Sequence, residues 1–598
     1  MTVAGRLPAG SLADLPVHQQ GRSVNFDKTP TLLVGGPEDC AAGWDEIAGC
    51  ITAGSPGVVV IDCYPGVRST DIAELVRRLG ADTVIASEDA LRPPADVDRL
   101  VLQDVTDDPV FGRITTLTMS DFFEPAALAR LREATSASPG RVVIWGVGAA
   151  LVAAADVLVH AGLPRREASV RQRSTSCSNL GTDNGNERAS LKYKRAYFVD
   201  WRVGDRHKVE LWNRLDFVLD TTRPAQPMMV TAEGHARALA VLARRPFRVV
   251  PWFEPAPWGG EWMKEVCDLD RDAVNFGWCF DCVPEENSLL LDYGRGPVEI
   301  PSYDLVYRHP DELLGPDVAR RFGGEFPIRF DFLDTMGGGN LSLQVHPLTA
   351  YIREQFGMGF TQDESYYMLD AAPESTVYLG VKTGVDKDAM IASLRRAQDG
   401  GSDFPATDFV NQWPAKRHDH FLIPAGTVHC SGAGGMVLEI SATPYIFTFK
   451  LWDWGRLGLD GRPRPVHLDH GVHNIQWDRD TDYAREHLIN VVTPLESGND
   501  WRSERTGLHE AEFIDTHRHW FTGTAPHDTA GGVNVLNLVH GEQAVVESPD
   551  GAFEPFVVHF AETFIVPAAV GHYTIRPSGP AVGTECATIK AFVRSESA

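Results

Sequence analysis

Residues 340–370 read NLSLQVHPLTAYIREQFGMGFTQDESYYMLD and carry polar side chains at positions that predict strands. Gln344 and His346 are two residues apart, and alternate residues of a strand point to the same face, so both are predicted to point into one barrel. Glu364 lies just ahead of an aromatic run, and His429 follows "FLIPAGTV" at the predicted start of another strand. Histidine and glutamate suit zinc, whereas a neutral glutamine amide is a weaker ligand that leaves the ion strongly Lewis acidic. These four side chains predict a site for one divalent ion.

The chain downstream of about residue 246 has the pattern of an all-β protein. Predicted strands are short, turn signals are frequent, and helical patterns are rare except near 386–397, which favours a β-sandwich or small barrel. Two segments, FLIPAGTVH (421–429) and FIVPAAVGH (564–572), share Phe, Pro, Ala and a final His at the same offsets. This repeat predicts two tandem jelly rolls, in which a strand, a proline turn and a strand beginning with histidine recur.

The chain from about residue 30 to 225 instead alternates predicted strands and helices. "GVVVIDCYPG" predicts a buried strand, "STDIAELVRRLGADTVIAS" a helix and then a strand, and residues 140–163 a strand, a glycine turn and an apolar helix. This alternation predicts an α/β layer with a mostly parallel sheet. The turn Gly146-Val147-Gly148 lacks the Lys and Ser/Thr of a phosphate-binding loop, so a structural turn is favoured over a nucleotide site.

Bulk composition restricts the partners and the compartment. The chain has 598 residues, which predicts several domains, and its formal net charge of -26 argues against nucleic acid or an anionic membrane as a partner. Neither a signal peptide nor an apolar run long enough to span a bilayer is recognisable, so a cytoplasmic protein is predicted. The nine cysteines are scattered, and the single C-x-x-C, Cys279 and Cys282, is interpreted as structural. Nothing in the sequence predicts the oligomeric state.

The metal-site motifs resemble those of type I mannose-6-phosphate isomerases, a family of zinc-dependent cupins. That family has a Q-x-H-P strand, a Glu before an aromatic strand and a His after a PAGTxH turn, which here read LSLQVHP, DESYYML and IPAGTVH. The upstream "EPAPWGGEWM" also resembles the family, and the likeness covers about residues 247–475. The resemblance implies Gln344, His346, Glu364 and His429 as ligands of one Zn²⁺ per chain. It implies conversion of D-mannose 6-phosphate to D-fructose 6-phosphate through a zinc-stabilised enediolate.

Departures from the family pattern fall on the cations expected to face a sugar phosphate. Asp331 and Gln362 stand where better-known branches carry lysines, and Lys450 stands in place of an arginine, with Arg456 nearby. We interpret Lys450 and Arg456 as groups that assist a developing oxyanion, and Asp331 as a proton carrier or a partner of Lys450. Two alternatives therefore stay open: an isomerase of another sugar or sugar phosphate, and a non-catalytic metal-bearing sugar sensor.

A second resemblance concerns the N-terminal part. "YKRAYFVDWRVGDRHK" (193–208) resembles a stretch near the end of uridine-kinase-like P-loop domains, which implies a degenerate kinase-like domain without the phosphate-binding lysine. The predicted organisation is an α/β, P-loop-like domain with a parallel sheet followed by an all-β double jelly roll of the cupin type. Its predicted parts are the α/β domain at 1–225, a linker helix at 226–246, the catalytic cupin domain at 247–490 and a C-terminal jelly roll at 491–598.

Overall fold

A computed structural model describes residues 25–174, 177–442, 447–457, 464–507, 509–510 and 512–594. The described chain is a mixed α/β protein with six β-sheets. None of its described helices combines the length and apolar character needed to cross a bilayer.

The N-terminal part is built around a seven-stranded sheet in the order β2-β8-β7-β6-β3-β5-β4. Neighbours from β7 to β4 are parallel, whereas β8 pairs antiparallel with β7 and β2. The predicted α/β layer with mostly parallel strands is therefore observed. The strands of this sheet are β2 (Cys40–Ala42), β3 (Val58–Cys63), β4 (Thr83–Ala86), β5 (Val142–Val147), β6 (Val157–Gly162), β7 (Phe217–Asp220) and β8 (Met228–Thr231). Strand β1 (Thr31–Leu33) precedes them in the chain and belongs to another sheet. The helices are α1 (Trp44–Thr52), α2 (Ser69–Arg78), α3 (Pro94–Val105), α4 (Pro125–Ala137), α5 (Arg165–Arg173), α6 (Ala189–Arg195), α7 (Trp201–Leu211) and α8 (Ala232–Leu242).

The prediction of an apolar helix after the turn at Gly148 is wrong. Only a single 3₁₀ turn, Ala149–Leu151, follows the glycine, and the chain then enters β6, which pairs in parallel with β3. A continuous apolar run is equally compatible with a buried helix and with a strand that is covered on both faces. Gly148 has a φ of 68°, a left-handed conformation that suits the predicted tight turn.

The next part packs a six-stranded sheet, β18-β15-β20-β13-β10-β9, with a five-stranded sheet, β17-β16-β19-β14-β21. Its strands are β9 (Trp252–Glu254), β10 (Trp278–Cys282), β11 (Ser288–Asp292), β12 (Pro297–Pro301), β13 (Arg329–Asp334), β14 (Leu343–Val345), β15 (Asp363–Ala371), β16 (Thr376–Val381), β17 (Val410–Pro414), β18 (His420–Ile423), β19 (His429–Ser431), β20 (Gly435–Ala442) and β21 (Phe449–Trp452). Strands β11 and β12 belong to a separate three-stranded sheet with β1.

Helices in this part are more frequent than the sequence pattern predicted. They are α9 (Trp262–Val266), α10 (Tyr303–Arg308), α11 (Pro310–Leu314), α12 (Pro316–Phe322), α13 (Thr349–Phe356), α14 (Lys387–Gln398), α15 (Ala406–Phe409), α16 (Leu468–Gly471) and α17 (Thr481–Tyr483). The helix expected near 386–397 is confirmed as α14. The others are too short to show a recognisable 3.6-residue period, which explains why the prediction of few helices is wrong.

The C-terminal part repeats the two-sheet arrangement, with sheets β22-β23-β24-β31-β26-β29 and β25-β30-β27-β28. Both copies of the sequence repeat form a strand, a proline turn and a strand that begins at histidine, as predicted: β18 leads to β19 at His429, and β29 leads to β30 at His572. Strands of this part are β22 (Thr493–Ser497), β23 (Trp501–Arg505), β24 (Ile514–Phe521), β25 (Ala525–Asp528), β26 (Asn534–His540), β27 (Gln543–Glu547), β28 (Phe556–His559), β29 (Thr563–Val566), β30 (His572–Pro577) and β31 (Cys586–Val593).

One aromatic side chain joins the N-terminal part to the first pair of β-sheets. Phe111 lies in the segment between α3 and α4 and is fully buried. Its ring lies 5.2 Å from those of Phe447 and Phe449 and 5.5 Å from that of Phe356, measured between centroids. Asp108 in the same segment contacts His470 Nε2 at 3.1 Å. The two parts thus share one continuous core.

Candidate metal centre and adjoining pocket

The three strongest predicted ligands converge from different strands. His346 directly follows β14, Glu364 lies on β15 and His429 begins β19, and all three are fully buried. His346 Nε2 lies 3.0 Å from Glu364 Oε2, and His429 Nε2 lies 2.9 Å from Glu364 Oε1. One ligand atom from each lies within 4.8 Å of the others. The cross-strand register pairs Gln344 with His429, which brings the fourth predicted side chain to the same place.

Backbone carbonyls fix the orientation of both imidazoles. His346 Nδ1 lies 2.9 Å from the carbonyl oxygen of Phe447, and His429 Nδ1 lies 2.8 Å from that of Thr427. A carbonyl can only accept, so each Nδ1 carries a proton, and each Nε2 is the atom left to ligate a metal ion. Second contacts of this kind hold metal-ligating histidines in their correct tautomer.

The donor set fits a divalent ion. Among the described residues, His346 Nε2 and Glu364 Oε1 are buried without a hydrogen bond of acceptable geometry, although Nε2 lies 3.0 Å from Glu364 Oε2 and Oε1 lies 2.9 Å from His429 Nε2. Burial alone would raise the pKa of Glu364, but the neighbouring His346 and His429 hold it well below the usual value, so the carboxylate is ionised as ligation requires. Donors placed tetrahedrally about 2.0–2.2 Å from zinc lie roughly 3.4 Å apart, which falls between the 2.9 Å contact of His429 with Glu364 and the 4.8 Å within which all three ligand atoms lie.

Gln344 needs only a rotation of its amide to complete the set. Its Nε2 lies 3.2 Å from His429 Nε2, and its Oε1 accepts a hydrogen bond from Ser342 Oγ at 3.0 Å. Turning the amide by 180° exchanges the two atoms and presents oxygen to the ion, while Ser342 can then accept from the amide nitrogen.

Buried acidic groups line the sheet beside Glu364. Asp331 on β13 is paired in register with Glu439 on β20, and both carboxyls are buried. Burial raises the pKa of Asp331 to about 8; the Arg329 cation opposes the rise, and the charges of Glu285 and Glu364 add to it. A carboxyl whose pKa lies this close to neutral pH is found in both protonation states there, so its ionised form can accept a proton and its protonated form can donate one.

Lys450 lies on the pocket side of the neighbouring strand. It stands opposite Gln344 in the β14–β21 register, so the two side chains share a face of the sheet. Its ammonium has no hydrogen-bond or ion-pair partner among the described residues. Burial, together with the charge of Arg464, lowers the pKa of Lys450 to about 7. The side chain is therefore free to meet a ligand.

Arg456, the third predicted catalytic residue, is engaged elsewhere. Its guanidinium donates to Asp453 Oδ1 at 2.7 Å and to the carbonyl oxygen of Asn340 at 2.5 Å. It is not among the residues that line the pocket, whereas Arg464 is. Arg464 was missed because it comes after a segment without strong periodicity, and only the fold brings it next to Lys450.

A pocket of about 450 Å³ adjoins the candidate metal centre and shares Gln344 with it. Its walls include Gln344, Asp331, Lys450, Gln362 and Glu439. Gln362 Nε2 donates a hydrogen bond to Glu364 Oε2 at 2.9 Å. At the position where a lysine was expected, the chain therefore has a neutral side chain that supports Glu364, the proposed carboxylate ligand. The volume is ample for a hexose phosphate.

Comparison with known proteins gives different results for the two halves. Residues 43–244 match a family model described as "Domain of unknown function (DUF8485)". The chain is 22% identical over 333 residues to the "Probable mannose-6-phosphate isomerase GmuF" of Bacillus subtilis, which covers 55% of this chain and 96% of that protein. It is 28% identical over 220 residues to the mannose-6-phosphate isomerase of Streptococcus mutans, covering 36% of this chain and 63% of that protein.

Solved structures give matches of the same kind. The mannose 6-phosphate isomerase from Bacillus subtilis aligns with a TM-score of 0.45 and 19% identity, covering 58% of this chain and 99% of that one. A zinc-bound mannose 6-phosphate isomerase aligns with a TM-score of 0.44 and 13% identity, covering 59% of this chain and 100% of that one.

Proposed function

We propose that this protein is a metal-dependent aldose–ketose isomerase that interconverts D-mannose 6-phosphate and D-fructose 6-phosphate. The observation that carries the proposal is the convergence of His346, Glu364 and His429 from separate strands onto one buried point beside a pocket. The relatives that match this chain are named as mannose-6-phosphate isomerases, which supports the same reaction. Zinc, one ion per chain, is the proposed metal because two imidazoles, a carboxylate and an amide suit it.

The chemistry moves one proton between C1 and C2 while negative charge develops on the sugar oxygens. A divalent ion held by Gln344, His346, Glu364 and His429 would supply a Lewis acid for that charge. Lys450 faces the same pocket and is placed to donate a hydrogen bond to a sugar oxygen as charge develops there. Asp331, whose pKa is raised to about 8, is the proposed proton carrier, which in its ionised form takes the proton from one carbon and then returns it to the other.

The proposal is tested by a coupled assay of the purified protein with mannose 6-phosphate, before and after treatment with a chelator. We expect turnover that is lost on metal removal and returns when Zn²⁺ is added back. An apoprotein that is as active as the untreated protein contradicts the metal-dependent mechanism.

A second candidate is an isomerase of a different sugar or sugar phosphate. It is favoured because Gln362 hydrogen-bonds Glu364 and Asp331 is buried as an acid, where better-known branches have lysines. A panel of aldoses and aldose phosphates in the same assay separates the two candidates. Tight sugar binding without turnover of any member identifies a sensor instead.

Replacing Lys450 tests its proposed role. We expect Lys450→Met to lower kcat by about 100- to 1,000-fold, because one donor to a developing oxyanion is lost. Lys450→Arg keeps the charge and should retain most of the activity. The measurement is the steady-state rate together with metal content, which both variants should keep. Equal losses in the two variants would assign Lys450 to packing instead of charge stabilisation.

The N-terminal part is proposed to be a degenerate relative of nucleoside kinases, and its sheet extends beyond the predicted boundary at residue 225 to include β8. Strand β3 lies inside the sheet, between β6 and β5, and leads through Pro65 and Gly66 into α2, the strand–loop–helix arrangement in which phosphate-binding loops occur. The residue before α2 is Arg68, and its guanidinium bonds Asp71. Weak or absent nucleotide binding in calorimetry is the expected outcome.

A further inference from the structure

The pocket beside the metal cluster is not enclosed by the β-sheets alone. One of its walls comes from the N-terminal part, through Ser169 and Gln172 on α5, Ser190 and Tyr193 on α6, and Val110 in the segment before α4. The family model of unknown function covers all of these residues. A part of the chain that lies outside the isomerase motifs therefore contributes to the surface that a substrate would meet.

Gln172 is the residue of that wall with an unused hydrogen-bonding group. Its side chain is 4% exposed, and Oε1 has no hydrogen-bond partner among the described residues. The large majority of buried side-chain polar atoms in proteins are paired, because leaving one unpaired costs about 1–3 kcal/mol. A buried acceptor on a pocket wall is matched by a ligand that brings an O–H donor. Gln172 also lines a neighbouring cavity of about 620 Å³ inside the N-terminal part.

Two contacts hold this wall against the barrel. Arg173, next to Gln172, donates to both carboxylate oxygens of Glu254 on β9, each at 2.8 Å. Tyr193 on α6 donates to Glu286 Oε1 at 2.6 Å. A bidentate arginine–carboxylate pair fixes orientation as well as distance. The position of Gln172 relative to the strands that carry the metal cluster is thus determined by the fold.

We propose that Gln172 is a substrate-binding residue, and that the N-terminal part completes the active site by hydrogen-bonding a sugar hydroxyl. The inference rests on the proposed isomerase function. A metal ion at the proposed centre would meet the reacting end of the sugar, C1 and C2, so the hydroxyl proposed to meet Gln172 belongs to C3, C4 or C5. Selectivity among sugar phosphates would then depend on a residue outside the barrel.

The test replaces Gln172 with leucine, which has a similar volume and no polar atom. We expect KM for mannose 6-phosphate to rise about 10-fold, the value of one hydrogen bond to a ligand. The melting temperature without ligand should stay the same or rise, because the unpaired acceptor is removed. Gln103→Leu, at an exposed position of α3, is the matched control and should leave KM unchanged.

Deoxy substrates identify the hydroxyl. With the deoxy sugar phosphate that lacks the contacted group, wild type and Gln172→Leu should have equal kcat/KM, whereas the other analogues keep the 10-fold difference. Equal KM values of wild type and variant for the intact substrate would overturn the inference. So would a fall in melting temperature with no change in KM, which would show that the amide serves the fold.

Failure of the isomerase proposal is recognised separately. If wild type does not turn over mannose 6-phosphate, its binding is measured by the fluorescence of the pocket tryptophans Trp252, Trp258 and Trp278. Binding without turnover refutes the isomerase proposal, and a weaker affinity of Gln172→Leu then still supports the contact. Unaltered affinity in the variant, or no binding of any hexose phosphate to wild type, overturns it.

Discussion

Glu364→Gln should abolish metal-dependent turnover while leaving the fold intact. The substitution keeps the shape of the side chain but removes the charge that both imidazoles face at 2.9–3.0 Å. Substitutions one contact further from a metal already weaken its affinity by about 10- to 100-fold, so the loss of a carboxylate ligand should exceed that range. Loss of a Lewis acid costs several kcal/mol of transition-state stabilisation, which corresponds to about a thousandfold or more in rate.

The measurements are metal content after gel filtration, zinc affinity in competition with a chromogenic chelator, and kcat. Gln362→Leu is a graded control, because it removes a hydrogen bond to Glu364 but no proposed ligand. It should retain the metal with moderately reduced affinity. A Glu364→Gln variant that binds zinc as tightly as wild type would disprove the assignment of this centre.

Phe111→Ala should both destabilise the protein and weaken the metal site. Truncating a fully buried phenylalanine costs about 3–5 kcal/mol of folding free energy. Phe111 stacks on Phe447, with ring centroids 5.2 Å apart and planes 15° from parallel. The carbonyl of Phe447 is the group that orients His346. The cavity left by Phe111 therefore lies directly behind a contact that fixes a metal ligand.

We expect zinc affinity to fall by about 10- to 100-fold in this variant, as for other losses of support to a ligand. Denaturant unfolding and chelator competition provide the two readouts. Phe122→Ala is the matched control, since Phe122 is equally buried but lies in the N-terminal part without a ring contact to Phe447 among the described residues. It should lose stability and keep its zinc affinity. Parallel losses of affinity in both variants would contradict a specific route through Phe447.

Sequence patterns predicted which side chains converge at the candidate metal centre better than they predicted its surroundings. Gln344, His346, Glu364 and His429 could be proposed because strand periodicity and short motifs report directly on which side chains share a face. The same reasoning misplaced the segment after Gly148, where an apolar run forms β6 instead of a helix. An apolar run forms a strand when other layers of the fold cover both of its faces, and the local sequence pattern does not show whether such layers are present.

The pocket wall could not be predicted at all. Gln172 and Arg464 are separated in the chain from every motif, and nothing in their neighbours distinguishes them from surface residues. The packing of α5 against β9, through Arg173 and Glu254, and the hydrogen bond from Tyr193 to Glu286 bring the N-terminal wall to the candidate metal centre. Contacts between distant segments depend on shape complementarity, which short-range periodicity does not encode.

The pairing of β1 with β11 has a consequence for dissecting the chain. Thr31 and Leu32 align in parallel with Leu290 and Leu291, so a short N-terminal strand covers one edge of a sheet otherwise built from downstream residues. An expression fragment starting near residue 247 would leave that edge with unsatisfied backbone groups, which readily recruit a strand from another molecule. Truncation would thus remove β1 and promote self-association through the exposed edge of β11. Shortened versions of this protein need another strand in place of residues 31–33.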